Sequence, residues 1–271
     1  MEESELWVPR ETKFFEGDRL KDIIESYCLY LEVRHPEHHK RFQRLMEANR
    51  SGAVAEAVVF SWLRFDRLQP VVSEDSSKGG PDFMCRGRQG FFLVETTVLD
   101  ANAVESRSGW PNELDDTARA FSMITPNLWS KTLHKAGQLA DQDMPRLLAI
   151  CLSHVGASAL LGTLAARILA AQSRKSAFYQ VVDGKYQAER RSISGLLLIP
   201  IWEDECEVIG MLHPDPVKIF DYRDPSDVHF LRVKWPPVSE EVETEWIIGH
   251  PRPSRKLHAK VTLTDDEFKG N

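Results

Sequence analysis

Two carboxylates, Asp82 and Glu95, are the residues of this chain whose type and spacing are best suited to chemistry. Asp82 follows the sequence Gly-Gly-Pro, and Glu95 follows the apolar run Phe91–Val94. The polar segment at residues 86–89 predicts a turn, and strands joined by so short a turn must run antiparallel. Because a hairpin sets its two arms side by side, we expect the two carboxyl groups to lie close together.

The strand that carries Glu95 is expected to be covered on both faces. Successive side chains of a strand point to opposite sides, and both sides are apolar until Glu95. Two carboxylates at one site repel each other, so either one holds a proton or a cation lies between them. Oxygen ligands from two side chains and a main-chain carbonyl suit Mg²⁺ or Mn²⁺, so the pattern predicts a metal site.

A structural role for the same two carboxylates is the alternative. An aspartate after a proline is common in turns, and a glutamate near a strand end often pairs with a surface arginine. At a metal site, removing Asp82 or Glu95 should relieve repulsion and leave the fold intact. If Glu95 is instead paired with a cation, its removal leaves a buried charge without a partner, at a cost of roughly 3–5 kcal/mol.

The arrangement around these residues resembles the PD-(D/E)XK phosphodiesterase superfamily. The sequence Gly-Pro-Asp-Phe, a short turn and an apolar strand ending in Glu-Thr-Thr carry the resemblance. The expected order of elements over about residues 50–155 is also similar: a helix with Glu56, three strands, a helix and a further strand. The resemblance implies that Asp82 and Glu95 bind Mg²⁺ or Mn²⁺. It also implies that the Thr96 carbonyl is a third ligand and that Glu56 is an auxiliary acid.

The lysine of the superfamily motif is missing from its usual position, two residues after the glutamate. Thr97 stands there and cannot supply a positive charge. Some members place the working lysine on another element, and the candidates here are Lys135, Lys131 and Lys78. We prefer Lys135, which shares a helical face with Gln138 on the helix expected to pack over the sheet near the site. If no lysine fits, the protein is an inactive relative that only binds.

The expected fold is a single α/β domain with a small mixed β-sheet and flanking helices. Residues 1–49 form a helical N-terminal region, residues 50–205 a restriction-endonuclease-like core by the resemblance, and residues 206–271 a β-rich tail. Apolar spacing predicts helices at 18–33, 51–64, 126–140 and 157–172, and strands at 68–72, 81–85, 90–99, 147–152, 193–202, 207–212, 217–222 and 229–235.

A basic segment at residues 34–44 is a candidate for contacts with phosphate groups. Its histidines have helix-like spacing, but Pro36 interrupts them and no carboxylate or cysteine partner is evident, so we do not predict a metal site there. A solvated helix face is the alternative. The residues for which we expect nucleic-acid contacts are Arg41 and Arg44 in this segment, together with Lys78 and Lys131.

Composition excludes several other classes of protein. The chain of 271 residues has no apolar run that approaches the roughly 18 residues of a membrane-spanning helix, and its acidic first residues do not look like a secretory signal. Its four cysteines are far apart and form no CxxC pair, which is typical of free thiols in a reducing cytoplasm. Walker, GxGxxG, HExxH and GxSxG motifs are absent from the sequence.

These observations predict a cytoplasmic, Mg²⁺-dependent nuclease. By analogy with the superfamily, we expect DNA rather than RNA as substrate, and a defence or restriction-like role. A net charge of −7 argues against a protein that coats nucleic acid, but not against one that binds it locally. The alternative is an inactive nuclease fold that serves as a binding or scaffold module, which Thr97 and the acidic charge favour. A homodimer is left open, and no membrane partner is expected.

Overall fold

The computed structural model describes most of the chain outside its two ends. The described residues are 19–73, 80–100, 104, 117–138, 143–153, 176–201, 208–226, 228–237 and 242–249, with the backbone alone at 117–124 and 137–138. The helices are α1 (Arg19–Arg34), α2 (Pro36–Ala48), α3 (Arg50–Phe65) and α4 (Thr117–Gln138). The strands are β1 (Val71–Val72), β2 (Phe83–Arg86), β3 (Phe91–Leu99), β4 (Arg146–Leu152), β5 (Tyr179–Val182), β6 (Lys185–Ala188), β7 (Gly195–Pro200), β8 (Ile209–Leu212), β9 (His229–Val233) and β10 (Thr244–Ile248).

One mixed sheet of eight strands organises the fold, in the order β1-β2-β3-β4-β7-β8-β9-β10. Strands β3, β4 and β7 are parallel, whereas β2 is antiparallel to β3 and β8 is antiparallel to β7. The prediction of a mixed sheet with flanking helices is confirmed. The prediction of a small sheet was wrong, because the β-rich tail pairs with β7 and extends the same sheet instead of forming a separate layer.

Both faces of the central strands are covered, as expected for parallel strands. On one face, α3 contributes Val58 and Phe60 to a core that includes Phe92 and Leu147. On the other face, Leu128 of α4 joins a second core. Every residue of β4 is buried, which explains why that strand has a continuous apolar sequence. None of the described helices is both long and apolar enough to cross a lipid bilayer.

The hairpin of β2 and β3 is held at its turn by a distant loop. The backbone N–H of Gly87 donates to the Gly90 carbonyl at 2.8 Å, and the N–H of Arg88 donates to Asp224 Oδ1 at 2.8 Å. A Cβ at Gly87 would lie 2.0 Å from Asp224 Oδ2, so only glycine lets the carboxylate approach the turn this closely. The hairpin expected from the sequence is confirmed.

The N-terminal helices pack against α3. Tyr27 and Leu31 of α1 and Phe42 of α2 are buried in the same core as α3. Pro36 begins α2 rather than interrupting it, because a proline in the first turn has no N–H that the helix needs. Asn49 caps α3, where its side chain accepts a hydrogen bond from the Gly52 N–H at 3.2 Å.

Several predicted element boundaries were wrong. Helix α4 begins at Thr117 and contains Pro126 in its interior, although proline usually marks a helix start and breaks the hydrogen-bond ladder further along. The strand expected at 68–72 is limited to β1, because Gln69 has a φ of 47°, which an extended strand does not allow.

One predicted strand is absent from the described residues, and one hairpin lies in a segment for which no element was predicted. Residues 217–222 form no strand, and the Val217 N–H donates instead to the Arg191 carbonyl at 2.8 Å. The polar segment 173–192 contains the hairpin of β5 and β6. The helix predicted at 157–172 lies outside the described residues. The remaining strands lie where they were predicted, with their ends shifted.

Candidate active site

The register of the hairpin sets Asp82 and Glu95 against each other. Phe83 pairs with Val94 in the β2–β3 ladder, and continuing that register by one residue places Asp82 opposite Glu95. Opposed residues of an antiparallel pair share a face. The Thr96 N–H donates to Asp82 Oδ2 at 2.6 Å, so the aspartate caps the ladder where β2 has ended. Glu95 is only 6% exposed.

Lys135 of α4 meets Glu95 directly. Its Nζ donates to Glu95 Oε1 in an ion pair between two largely buried side chains. Thr97, which stands where the superfamily motif has lysine, is buried in β3. The positive charge beside the carboxylates therefore comes from the helix that crosses the sheet, and not from β3 itself.

Glu56 lies behind this pair on α3. The Tyr27 hydroxyl donates to Glu56 Oε1 at 2.6 Å, and Tyr27 is fully buried. Glu56 is close enough to Asp82 for the charge of each to act on the other. Within the described residues, no three histidine, cysteine, aspartate or glutamate side chains are grouped so that they could hold a metal ion. Glu56 therefore supports the carboxylate pair instead of completing a cluster of three ligands.

The electrostatics of the site favour a bound proton or cation. Burial and, to a smaller extent, the Asp82 charge together raise the pKa of Glu95 from 4.5 to about 7, against the effect of the Lys135 ammonium. Burial and the Asp82 charge likewise raise the pKa of Glu56 from 4.5 to about 7. Burial also raises the pKa of Asp82, against the Thr96 N–H and the Lys135 charge. Such shifts mean that the surrounding protein groups do not fully offset the free-energy cost of ionising these buried carboxyl groups.

The oxygen atoms left over at the site suit a divalent cation. Lys135 Nζ donates a hydrogen bond to Glu95 Oε1. The other oxygen, Glu95 Oε2, is buried and has no hydrogen-bond partner among the described residues. An unsatisfied buried oxygen is costly unless something binds it. Thr96 turns its carbonyl to the same side as its N–H, toward Asp82, because both groups of a strand residue face one neighbour. Two carboxylates and one carbonyl fit Mg²⁺ or Mn²⁺, which keep several waters as further ligands.

Arg41 of α2 lies within electrostatic range of the site. Its charge lowers the pKa of both Glu56 and Asp82 against the larger effect of burial, and its side chain is half-buried. The sequence placed Arg41 among residues for nucleic-acid contacts but gave no indication of its closeness to the carboxylates.

The other candidates for nucleic-acid contacts are more scattered. Arg44 is exposed one turn further along α2, where its Nε donates to the Lys40 carbonyl at 3.3 Å. Lys131 is half-buried on α4, one turn before Lys135. Lys78 and the side chain of Gln138 lie outside the described residues.

Sequence reasoning missed Tyr27 altogether. Its position fits the apolar spacing of α1, so its aromatic ring is indistinguishable in sequence from an ordinary core residue. The hydroxyl group is the only available signal, because a buried tyrosine usually has a hydrogen-bond partner. Nothing local identifies Glu56 as that partner, since the two residues lie 29 positions apart.

The chain matches no protein-family model, no curated protein and no solved structure. The function of the site is therefore inferred from its side chains and their geometry.

Proposed function

We propose that this protein is a metal-dependent phosphodiester hydrolase, a nuclease, with its active site at Asp82, Glu95 and Lys135. The observation that carries the proposal is the pairing of Lys135 with Glu95 beside the opposed carboxylate Asp82. The order α3, β1, β2, β3, α4, β4 supports a restriction-endonuclease-like core. DNA is the proposed substrate by analogy with the PD-(D/E)XK superfamily, with a defence or restriction-like role by the same analogy.

The proposed chemistry divides the work among the residues of the site. Asp82, Glu95 and the Thr96 carbonyl would hold Mg²⁺ or Mn²⁺, and the ion would lower the pKa of a bound water and polarise a phosphate oxygen. Lys135 leaves part of its interaction with Glu95 and stabilises the negative charge that builds on the phosphoryl group. Glu56, which accepts a hydrogen bond from Tyr27, would add negative charge near Asp82 and favour cation binding once it ionises above its raised pKa of about 7.

Cleavage assays on matched variants test this proposal. Asp82→Asn keeps an oxygen that can accept from the Thr96 N–H, and Lys135→Gln keeps a donor for Glu95, so neither change should unfold the protein. We expect both to reduce Mg²⁺- or Mn²⁺-dependent DNA cleavage by at least about a hundredfold, in the range typical of lost charge stabilisation. Glu243→Gln, an exposed carboxylate preceding the far edge strand β10, serves as the control with wild-type activity. Cleavage that survives in Asp82→Asn would refute the assignment of the site.

An inactive binding module on the same fold is the second candidate. Thr97 at the position of the motif lysine favours it, as does the lack of three grouped ligand side chains in the described part of the chain. The same assays separate the two candidates, because an inactive binding or scaffold module does not hydrolyse DNA with any divalent cation.

A further inference from the structure

Four basic side chains line the junction between α1 and α2. They are Arg34 at the end of α1, His35 between the helices, and His38 and Arg41 on α2; we call this set the basic row. The His35 and His38 rings lie 6.0 Å apart between centroids, and His35 Nε2 lies 3.2 Å from the Tyr30 hydroxyl. The side chains of the row therefore lie next to one another over the first turn of α2 and are not scattered over the surface.

The basic row leads toward the carboxylate pair. His38 and Arg41 are three residues apart on α2, which places them on one face of the helix. Arg41 lies near enough to Asp82 and Glu56 for its charge to act on both carboxyl groups. At the other end of the row, burial lowers the pKa of His35, and the charges of His38 and Arg34 act in the same direction. Burial and the Arg41 charge likewise lower the pKa of His38. The end of the row on α2 therefore lies within electrostatic range of the candidate active site.

Packing beneath the row fixes its position relative to the site. Phe42, next to Arg41 in α2, is buried with its ring edge-on to Tyr27 at 5.0 Å between centroids. Tyr27 in turn donates its hydroxyl hydrogen to Glu56. Helix α2, which bears His38 and Arg41, is therefore connected to Glu56 of α3 through the packed rings of Phe42 and Tyr27. A shift of either helix would disturb this packing.

A row of two arginine cations and two neutral histidines, which still offer N–H donors, leads toward the proposed metal-binding carboxylates and matches the contacts that a polynucleotide backbone offers. Neighbouring side chains on a helix face lie about 5–6 Å apart, which allows successive groups to contact successive phosphates of one strand. Arginine binds phosphate through two N–H groups at once. A mononucleotide or a small phosphodiester could contact the end of the row nearest the carboxylates but would leave the rest unused.

We propose that the basic row binds the phosphodiester backbone of the substrate strand on one side of the scissile phosphate, so that the substrate is a polynucleotide. The row sets the direction in which the strand leaves the active site, across the start of α2 and away from Asp82. This inference rests on the proposed function for the location of cleavage, but binding along the row can be measured without cleavage.

Binding of a labelled DNA oligonucleotide, followed by fluorescence anisotropy with Ca²⁺ in place of Mg²⁺, tests the row. Arg34→Gln and the double variant His38→Gln/Arg41→Gln should each weaken binding about 5-fold or more. Each variant removes one arginine charge and should therefore also reduce the slope of log Kd against log salt concentration by about 0.7–0.9. Lys185→Gln is the matched control, since Lys185 is exposed in the β5–β6 hairpin and should bind as wild type does. Equal effects of the row and control variants would overturn the proposal.

A second substrate distinguishes failure of the row from failure of the active site. Wild-type protein is assayed with Mn²⁺ on a small chromogenic phosphodiester and on the oligonucleotide. Hydrolysis of the oligonucleotide together with binding that does not depend on the row would refute the row and leave the proposed function standing. Oligonucleotide binding that depends on the row, without hydrolysis of either substrate, would support the row and refute the nuclease.

Discussion

At the scale of single residues, the ion pair between Lys135 and Glu95 changes what a substitution can reveal. The sequence suggested that removing either carboxylate of a metal site would relieve repulsion. Glu95, however, faces the negative charge of Asp82 and the positive charge of Lys135 at once. Glu95→Ala would relieve one interaction and leave Lys135 without its partner, so its effect on stability does not separate the metal site from a structural ion pair. Glu56 gives a cleaner test.

Stability at high pH should increase when Glu56 becomes Gln. In the folded protein, burial and the Asp82 charge raise the pKa of Glu56 from 4.5 to about 7. The folded state therefore holds a proton that the unfolded state releases between pH 4.5 and 7, and stability is lost as the pH rises through that window. Glu56→Gln keeps an acceptor for the Tyr27 hydroxyl and removes the charge, so above the window it should gain about 1–2 kcal/mol in the free energy of unfolding.

Urea unfolding in EDTA at pH 5 and pH 8 measures this effect. The gain of Glu56→Gln over wild type should be large at pH 8 and small at pH 5. Glu47→Gln, which replaces an exposed carboxylate on α2, should show no such difference. A gain that is equal at both pH values would contradict the raised pKa of Glu56 in the folded protein.

At the scale of elements, the position of Lys135 depends on how the end of α4 is fastened. The Ser192 hydroxyl donates to the Ala136 carbonyl at 2.7 Å, next to Lys135 in the helix. Ser192 is itself held through its carbonyl, which accepts from Arg146 Nη1 at 3.0 Å. These bonds connect the end of α4, whose last carbonyls lack partners within the helix, to the first residue of β4 and to the segment that precedes β7. Lys135 is thereby held over β3.

Ser192→Ala should impair the site although Ser192 is not one of its residues. The loss of one hydrogen bond should cost about 1 kcal/mol in stability and let the last turn of α4 shift, which lowers kcat for DNA cleavage more than it changes KM. Thr132→Val is the control, because the Thr132 hydroxyl bonds to the Leu128 carbonyl inside the same helix and does not fasten the helix to the sheet. Equal kcat values for the two variants, at temperatures where both are folded, would argue against a positioning role for Ser192.

At the scale of the whole molecule, the sequence was informative wherever local patterns decide the structure. The two-residue alternation of Phe91–Thr97 and the short turn before it were enough for the hairpin and for the pairing of Asp82 with Glu95. The pairing of β8 with β7, which enlarges the sheet, depends on contacts between distant segments that no local pattern reveals. The hydrogen bond from Tyr27 to Glu56 and the approach of Arg41 to the carboxylates are long-range features of the same kind.

A crystal structure of the protein soaked in Mn²⁺ tests the central claim most directly. We expect a single anomalous peak at coordination distance from Asp82 and from Glu95 Oε2, the buried oxygen that has no hydrogen-bond partner in the described part of the chain. The Thr96 carbonyl should be a third ligand, and Lys135 should remain beside the site. An intact Lys135–Glu95 pair with no Mn²⁺ between the two carboxylates, in a crystal that binds Mn²⁺ elsewhere, would contradict the account.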